Sequence, residues 1–146
     1  MERDKTQLMR TSIYTGGTSP VKMIQAGFYQ EDCIVYDLED SVSAMEKDSA
    51  RFLIFHLISQ QRPKGKYVIV RVNGIYSKEI DEDLEAMVRA QPDAIRIPKV
   101  EYEEEVQKID KKIADILKKN NIDVLLIEDK FDITLSLIWG FSTQGR

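Results

Sequence analysis

Three carboxylates fall within four positions in Asp37-Leu38-Glu39-Asp40, directly behind the apolar run Ile34-Val35-Tyr36. Such acids are not buried together unless cations, hydrogen-bond donors or water take up their charge. Other apolar runs end in the same manner. Arg71 and Asn73 close Tyr67-Val68-Ile69-Val70, Lys99 follows Ile97-Pro98, and Glu128 follows Val124-Leu125-Leu126-Ile127. Gly16-Gly17 closes Ser12-Ile13-Tyr14-Thr15. If these runs are neighbouring parallel strands, their polar ends meet at one edge of a sheet, where α/β folds bind ligands. Two or more carboxylates converging there make a hard-oxygen site suited to Mg2+. A nearby arginine would grip a substrate carboxylate through a two-pronged contact. Together these are the parts that stabilise an enolate or a polarised carbonyl.

The intervening segments supply the elements needed to position them. Thr18 or Ser19 can cap a helix that has Pro20 at its first position and runs to about Tyr29, with Val21, Ile24 and Phe28 on one face. Ser43-Ala44-Met45-Glu46 has the form of a capping box ahead of a helix carrying Ala50, Leu53, Ile54, Leu57 and Ile58. The acidic stretch 79–85 opens a third helix with Leu84, Met87 and Val88, its acids near the positive end of the helix dipole. Residues 101–119 form a fourth, with Val106, Ile109, Ile113, Ile116 and Leu117 inward, and residues 122–128 read as a fifth strand. Regular alternation of strand and helix predicts right-handed βαβ units on a parallel sheet. Five such strands suit a small doubly wound sheet or part of a (β/α)8 barrel, and periodicity does not choose between them.

Composition narrows the function classes. The 146 residues suffice for one domain and are too few for two comfortable ones. A hydrophobic fraction of 42% with 32% charged residues is a globular balance. A net charge of −4 and a pI near 5.1 argue against a nucleic-acid platform, and no apolar run approaches a membrane span. The polar start at Met1-Glu2-Arg3-Asp4-Lys5 does not resemble a signal peptide. The single cysteine, Cys33, excludes an internal disulfide framework, and a cytoplasmic setting is expected.

Each group also has a plainer reading. The acidic turn can be an ordinary helix approach, and Arg71 can pair with Asp37 or Glu39 to stabilise the strand ends. Lys99 can be a solvated strand end, His56 a surface or packed side chain within a helix, and Cys33 a small buried apolar residue. The acid runs 79–85 and 101–105 read most simply as solvated helix starts. Gly16-Gly17 lacks the full dinucleotide pattern.

Taken in order, several stretches resemble one family. They are Arg10-Thr11-Ser12-Ile13-Tyr14 through Pro20, then residues 35–42 (Val-Tyr-Asp-Leu-Glu-Asp-Ser-Val), Lys47-Asp48-Ser49-Ala50-Arg51, Val70-Arg71-Val72-Asn73-Gly74, and residues 95–101 (Ile-Arg-Ile-Pro-Lys-Val-Glu). Residues 8–128 are similar to the first half of citrate lyase beta subunits, within the HpcH/HpaI aldolase/citrate lyase family that also includes malyl-CoA and citramalyl-CoA lyases. The resemblance implies a partial TIM-type (β/α)8 barrel of about five parallel βα units. It implies a carbon–carbon lyase that uses Mg2+ to split a citryl thioester into oxaloacetate and an acetyl thioester. Arg71 would hold the oxo-acid or substrate carboxylate, and Glu128 would ligate the metal. Asp40 would stand beside the metal's waters, supported by Glu39, and Arg10 would help at the thioester side. The partners implied are an oxo acid, an acyl thioester on an acyl carrier subunit or CoA, further copies of the chain and other citrate lyase subunits.

Departures from the family pattern qualify the expectation. Gly16-Gly17 stands where the family has Pro-Gly, and Asp129-Lys130-Phe131-Asp132 replaces a small residue and a glycine-containing helix. The family's second metal carboxylate, after a sixth strand, has no counterpart in these 146 residues. The chain therefore reads as a single truncated barrel-type domain, 1–146, with a divergent tail, 129–146. The tail segment 133–139 alternates like a strand for five positions and also admits a helix. Two functional readings follow: a lyase of the citrate lyase beta type, or a non-catalytic relative acting as a ligand-binding or assembly module.

Overall fold

The computed structural model of the chain describes residues 9–122 and the backbone of 132–136. Five parallel strands, β1 (Ser12–Gly16), β2 (Cys33–Asp37), β3 (Tyr67–Arg71), β4 (Ala94–Pro98) and β5 (Asp132–Ser136), pair in the order β1-β2-β3-β4-β5. The crossovers are α1 (Pro20–Gln25) with a 3₁₀ turn at Ala26–Phe28, then α2 (Lys47–Gln61), α3 (Ile80–Ala90) and α4 (Glu103–Lys119). A strand order that follows the chain has no switch point, so right-handed crossovers place every helix on one face. That choice decides for the barrel-type sheet over the doubly wound one.

The two faces carry different cores. Facing the helices, Ile34, Tyr36, Val68, Val70, Ile95 and Ile97 pack with Ala50, Ile54, Leu84, Met87, Ile109 and Ile113. The other face carries Cys33, Val35, Tyr67, Ile69 and Ala94. Cys33 is buried there as an apolar residue, and burial pushes its thiol up to about 11.

Helices α2, α3 and α4 bury the faces expected from their spacing. α1 does not. Met23 and Ala26 are buried, whereas Val21, Ile24 and Phe28 are exposed. The α-helix ends at Gln25 and the 3₁₀ turn advances at three residues per turn, so a 3.6-residue spacing carried through to Tyr29 misplaces the face. Ser19 takes the N-cap position without a side-chain cap bond, and Pro20 begins the helix. Ser43 and Glu46 form the turn before α2 rather than a box: Ser43 Oγ donates to Glu46 Oε2 at 2.6 Å, and Glu46 itself precedes Lys47 as N-cap. The strand beside β4 is 132–136, within the alternating tail; of the expected strand at 122–128, residues 123–128 lie outside the described residues.

The acid runs are not simply solvated. Asp83 is fully buried in the first turn of α3. Its Oδ1 accepts from Arg51 Nε of α2 at 2.9 Å, and its Oδ2 accepts from the Asn73 backbone N–H at 2.9 Å and from Asn73 Nδ2 at 2.6 Å. Glu105 of α4 is buried too, accepting from the backbone N–H groups of Glu101 and Tyr102 at 2.7 and 3.0 Å. A buried charge that loses its partner is far costlier than an exposed one. Asp83→Ala is therefore expected to lower unfolding stability by about 3–5 kcal/mol. Glu82→Ala, at an exposed carboxylate on the same arginine, should cost less than about 1 kcal/mol. Urea denaturation of both variants checks the contrast.

Candidate functional site

The register sets four residues side by side at the carboxyl ends of the strands: Gly16, Asp37, Arg71 and Arg96. Residues alternate faces along a strand, so the apolar neighbours of Asp37 and Arg71 point to the helices while these two point the other way. Arg71 Nε and Nη2 donate to Asp37 Oδ1 and Oδ2, both at 2.8 Å. Burial alone would raise the Asp37 carboxyl. The Arg71 bonds, the Ser41 hydroxyl at 2.6 Å and the backbone N–H groups of Glu39 and Ser41 outweigh it and hold the group at about 2. Both arms of Asp37 are thereby committed, and the guanidinium edge at Arg71 Nη1 is turned toward the acidic turn.

Glu39 and Asp40 meet that edge. Glu39 Oε2 lies 3.0 Å from Arg71 Nη1 but without hydrogen-bond geometry, and it is buried with no hydrogen-bond donor among the described residues. Glu39 Oε1 pairs with Lys99 Nζ at 2.7 Å. This bond to Glu39 raises the lysine's pKa. Lys99 takes a left-handed backbone (φ 57°) immediately after β4, which turns the chain as the strand ends. Asp40 is two-thirds exposed; among the described residues its side chain accepts a 3.3 Å hydrogen bond from Arg71 Nη1 and lies 4.0 Å from Lys99. An unbonded buried oxygen on Glu39 and an open carboxylate on Asp40 are hard donors able to serve a small divalent cation. They fit the magnesium expected from the sequence, as outer partners beside a further ligand.

A cleft of about 410 Å³ opens between Glu39, Asp40, Lys99 and the loop after β3, where Gly74, Ile75, Tyr76 and Ser77 form its wall. Its base is braced by Lys47, whose ammonium donates to the Leu38 carbonyl at 2.6 Å, the Glu39 carbonyl at 2.6 Å and Asn73 Oδ1 at 2.8 Å. Those three acceptors use all three of its protons. Asn73 Nδ2 also donates to the Leu38 carbonyl at 3.1 Å. The loops after β2 and β3 are thus joined by side-chain bonds to backbone carbonyls.

The structure brings Arg71, Glu39 and Asp40 together and adds Asp37 as the group that orients Arg71. It does not bring Arg10 to them. Arg10 precedes β1, at the opposite end of the sheet, and holds Asp32 through Nε and Nη2 at 3.1 Å each. Glu128 lies outside the described residues. His56 is packed in α2 against Phe52 and Phe55 and bonds Gln60. Lys47, Asp83 and Arg96 were not singled out from the sequence. Lys47 lay within a matching motif, and Arg96 interrupts an apolar run at the same parity as Arg71.

Another carboxylate group, Asp48, Glu79 and Glu82, comes together within 4.8 Å. Arg51 already serves as its cation, donating to Asp48 and Glu82 through Nη1 and to Glu79 through Nη2 at 2.7–2.9 Å. No metal is assigned there.

Residues 10–128 match the protein family described as HpcH/HpaI aldolase/citrate lyase. Over 113 residues the chain is 36% identical to the citrate lyase subunit beta of Leuconostoc mesenteroides subsp. cremoris, covering 77% of this chain and 37% of that protein. A citrate lyase structure from Burkholderia xenovorans LB400 aligns with a TM-score of 0.72 at 19% identity, over 92% of this chain and 42% of that one. The citrate lyase beta subunit of M. tuberculosis, complexed with oxaloacetate and magnesium, aligns at 0.57 and 22% identity, over 67% of this chain and 42% of that one. The two structures speak to the fold, which is that of a partial TIM-type barrel. The chain spans well under half the length of each of these proteins.

The Asp37–Arg71 pair carries a pH signature. Asp37 has a folded-state pKa below its unfolded one, so its contribution is present above about pH 4 and is lost as pH falls toward about 2. The shift corresponds to roughly 2 kcal/mol. Asp37→Asn should lower stability at neutral pH by about that amount and flatten the acid limb over that window. Urea midpoints measured across the acid range for both proteins test it.

Proposed function

As the chain belongs to the HpcH/HpaI aldolase/citrate lyase family, we propose that it acts in magnesium-dependent carbon–carbon cleavage of the citrate lyase beta type. A citryl thioester, on an acyl carrier subunit or CoA, would give oxaloacetate and an acetyl thioester. The observation that carries this reading is Arg71, locked on Asp37 with its Nη1 edge against Glu39 and Asp40, two acids that line the cleft.

In this cleavage the bond between the carbinol carbon and the thioester α-carbon breaks. The hydroxyl gives up its proton and becomes the oxo group, the electron pair of the broken bond passes to the acetyl thioester enolate, and the enolate α-carbon then takes up one proton, so that none is gained or lost overall. Arg71 would receive the substrate carboxylate through Nη1. The Asp37 fork holds the guanidinium in place before substrate arrives, so little reorganisation is needed. Lys99 would draw Glu39 to one side, leaving Asp40 as the open acid at the mouth. Mg2+ held by Glu128, with waters beside Asp40, would supply Lewis acidity to the oxo-acid oxygen. No general base is assigned among the described residues, since His56 is packed between Phe52 and Phe55 on α2. β1 and β5 are the sheet edges, and a second copy or companion subunits would pair with or cover them.

Cleavage of citryl and malyl thioesters with Mg2+, by the chain alone and with companion subunits, is the direct test. Arg71→Ala should reduce kcat/KM by about 100-fold or more. Arg71→Lys, which keeps the charge but not the fork, should recover only part of it. Absence of turnover in every combination overturns the lyase reading. Oxaloacetate and Mg2+ binding by calorimetry without turnover would instead favour the ligand-binding module.

A further inference from the structure

Arg96 is the cation of this region whose charge the described residues leave unanswered. It stands in register with Arg71 on the neighbouring strand, on the face away from the helices. Like charges directly opposite one another on adjacent strands are destabilising, so such a pair calls for compensation. Arg71 has it in Asp37, Glu39 and Asp40. Arg96 meets no carboxylate within ion-pair distance among the described residues. Its Nη1 donates to the neutral Tyr14 hydroxyl, and its Nε is buried without a hydrogen-bond partner among the described residues. An unmade bond at a buried charged donor is costly. A solvated surface arginine would not have its Nε sequestered, and a structural one would have been given an acid, as Arg51 and Arg71 were. The Tyr14 ring lies 5.4 Å from the Arg71 guanidinium carbon and 5.8 Å from that of Arg96, so both cations border one aromatic surface.

We propose that Arg96 is a specificity residue that receives a second carboxylate of the oxo-acid part of the substrate, selecting dicarboxylic over monocarboxylic oxo acids. The inference rests on the lyase reading above, in which Arg71 takes the first carboxylate. An anion lying against Tyr14 with one carboxylate on Arg71 Nη1 reaches Arg96 with the other. That contact gives the Arg96 guanidinium an anionic partner and relieves the like-charge pair at once. A monocarboxylate leaves Arg96 as it is.

Oxaloacetate and pyruvate differ by one carboxylate and serve as probes. Calorimetric titration of each into the full chain with Mg2+ should give oxaloacetate an affinity about 10- to 100-fold higher, the range of one charge-assisted contact. Arg96→Gln should bring the two within about twofold by weakening oxaloacetate alone, since the Arg71 contact is untouched. Arg96→Lys should keep part of the preference, and with the wild-type ratio it decides the matter if the glutamine variant does not fold. A general structural defect would weaken both ligands together and leave their ratio unchanged. A wild-type ratio near one, or an unchanged ratio in Arg96→Gln, overturns the role of Arg96 while the lyase reading stands. Wild type that binds neither acid overturns both.

Discussion

Asp83 is the constraint on which the site's geometry depends. A carboxylate with no exposed surface must have its charge answered locally, and all its answers come from elsewhere in the chain. Arg51 reaches it from α2, and Asn73 reaches it with both backbone and side chain from the loop after β3. Asn73 in turn bonds the Leu38 carbonyl and accepts from Lys47, which grips the carbonyls of Leu38 and Glu39. One buried acid thus fixes two loops at the carboxyl ends of the strands and two helix starts relative to one another. The acidic turn is held by its backbone, which leaves its side chains available.

That division of labour explains how three acids coexist over one turn. Asp37 is spent on structure: five hydrogen bonds keep it ionised and use it to aim Arg71. Glu39 is half spent, with one oxygen on Lys99 and the other lacking a hydrogen bond. Asp40 is hardly spent at all. A gradient from fully bonded to nearly free runs outward along consecutive side chains. Chemistry that needs an uncommitted oxygen therefore belongs to its outer end.

How much of this was legible in the sequence depends on which physics set the outcome. Strands β1 to β4 and the inward faces of α2, α3 and α4 follow from apolar periodicity, because burying a stripe is the main reason those segments fold as they do. α1 was misread because a short helix running into a 3₁₀ turn changes its angular step, which no spacing rule anticipates. Asp83 was misread for another reason. Within a run of acids at a helix start, a solvated carboxylate and a buried one have the same sequence signature. Only the third dimension, which puts Arg51 and Asn73 against it, separates them. Arg71 stood out because it ends a strand, and Asp37, Glu39 and Asp40 because acids follow an apolar run. Arg96 has the same parity as Arg71 but was hidden by apolar neighbours on both sides.

The charges on the open face of the sheet then form an incomplete set on both signs. Among the described residues, Asp40 is the site acid with the weakest partners and Arg96 the site cation with no acid partner, and they do not answer each other. Moving either into contact with the other would sacrifice the backbone bonds that hold the turn or the strand register that holds the arginine. A sheet this well braced therefore keeps the mismatch rather than relaxing it. A hard cation would satisfy the first need and an anion the second, and the metal-bound carboxylate of the proposed function would satisfy both at once. On the lyase reading proposed above, the same bracing that leaves the charges unanswered in the protein alone would hold them ready for such a ligand.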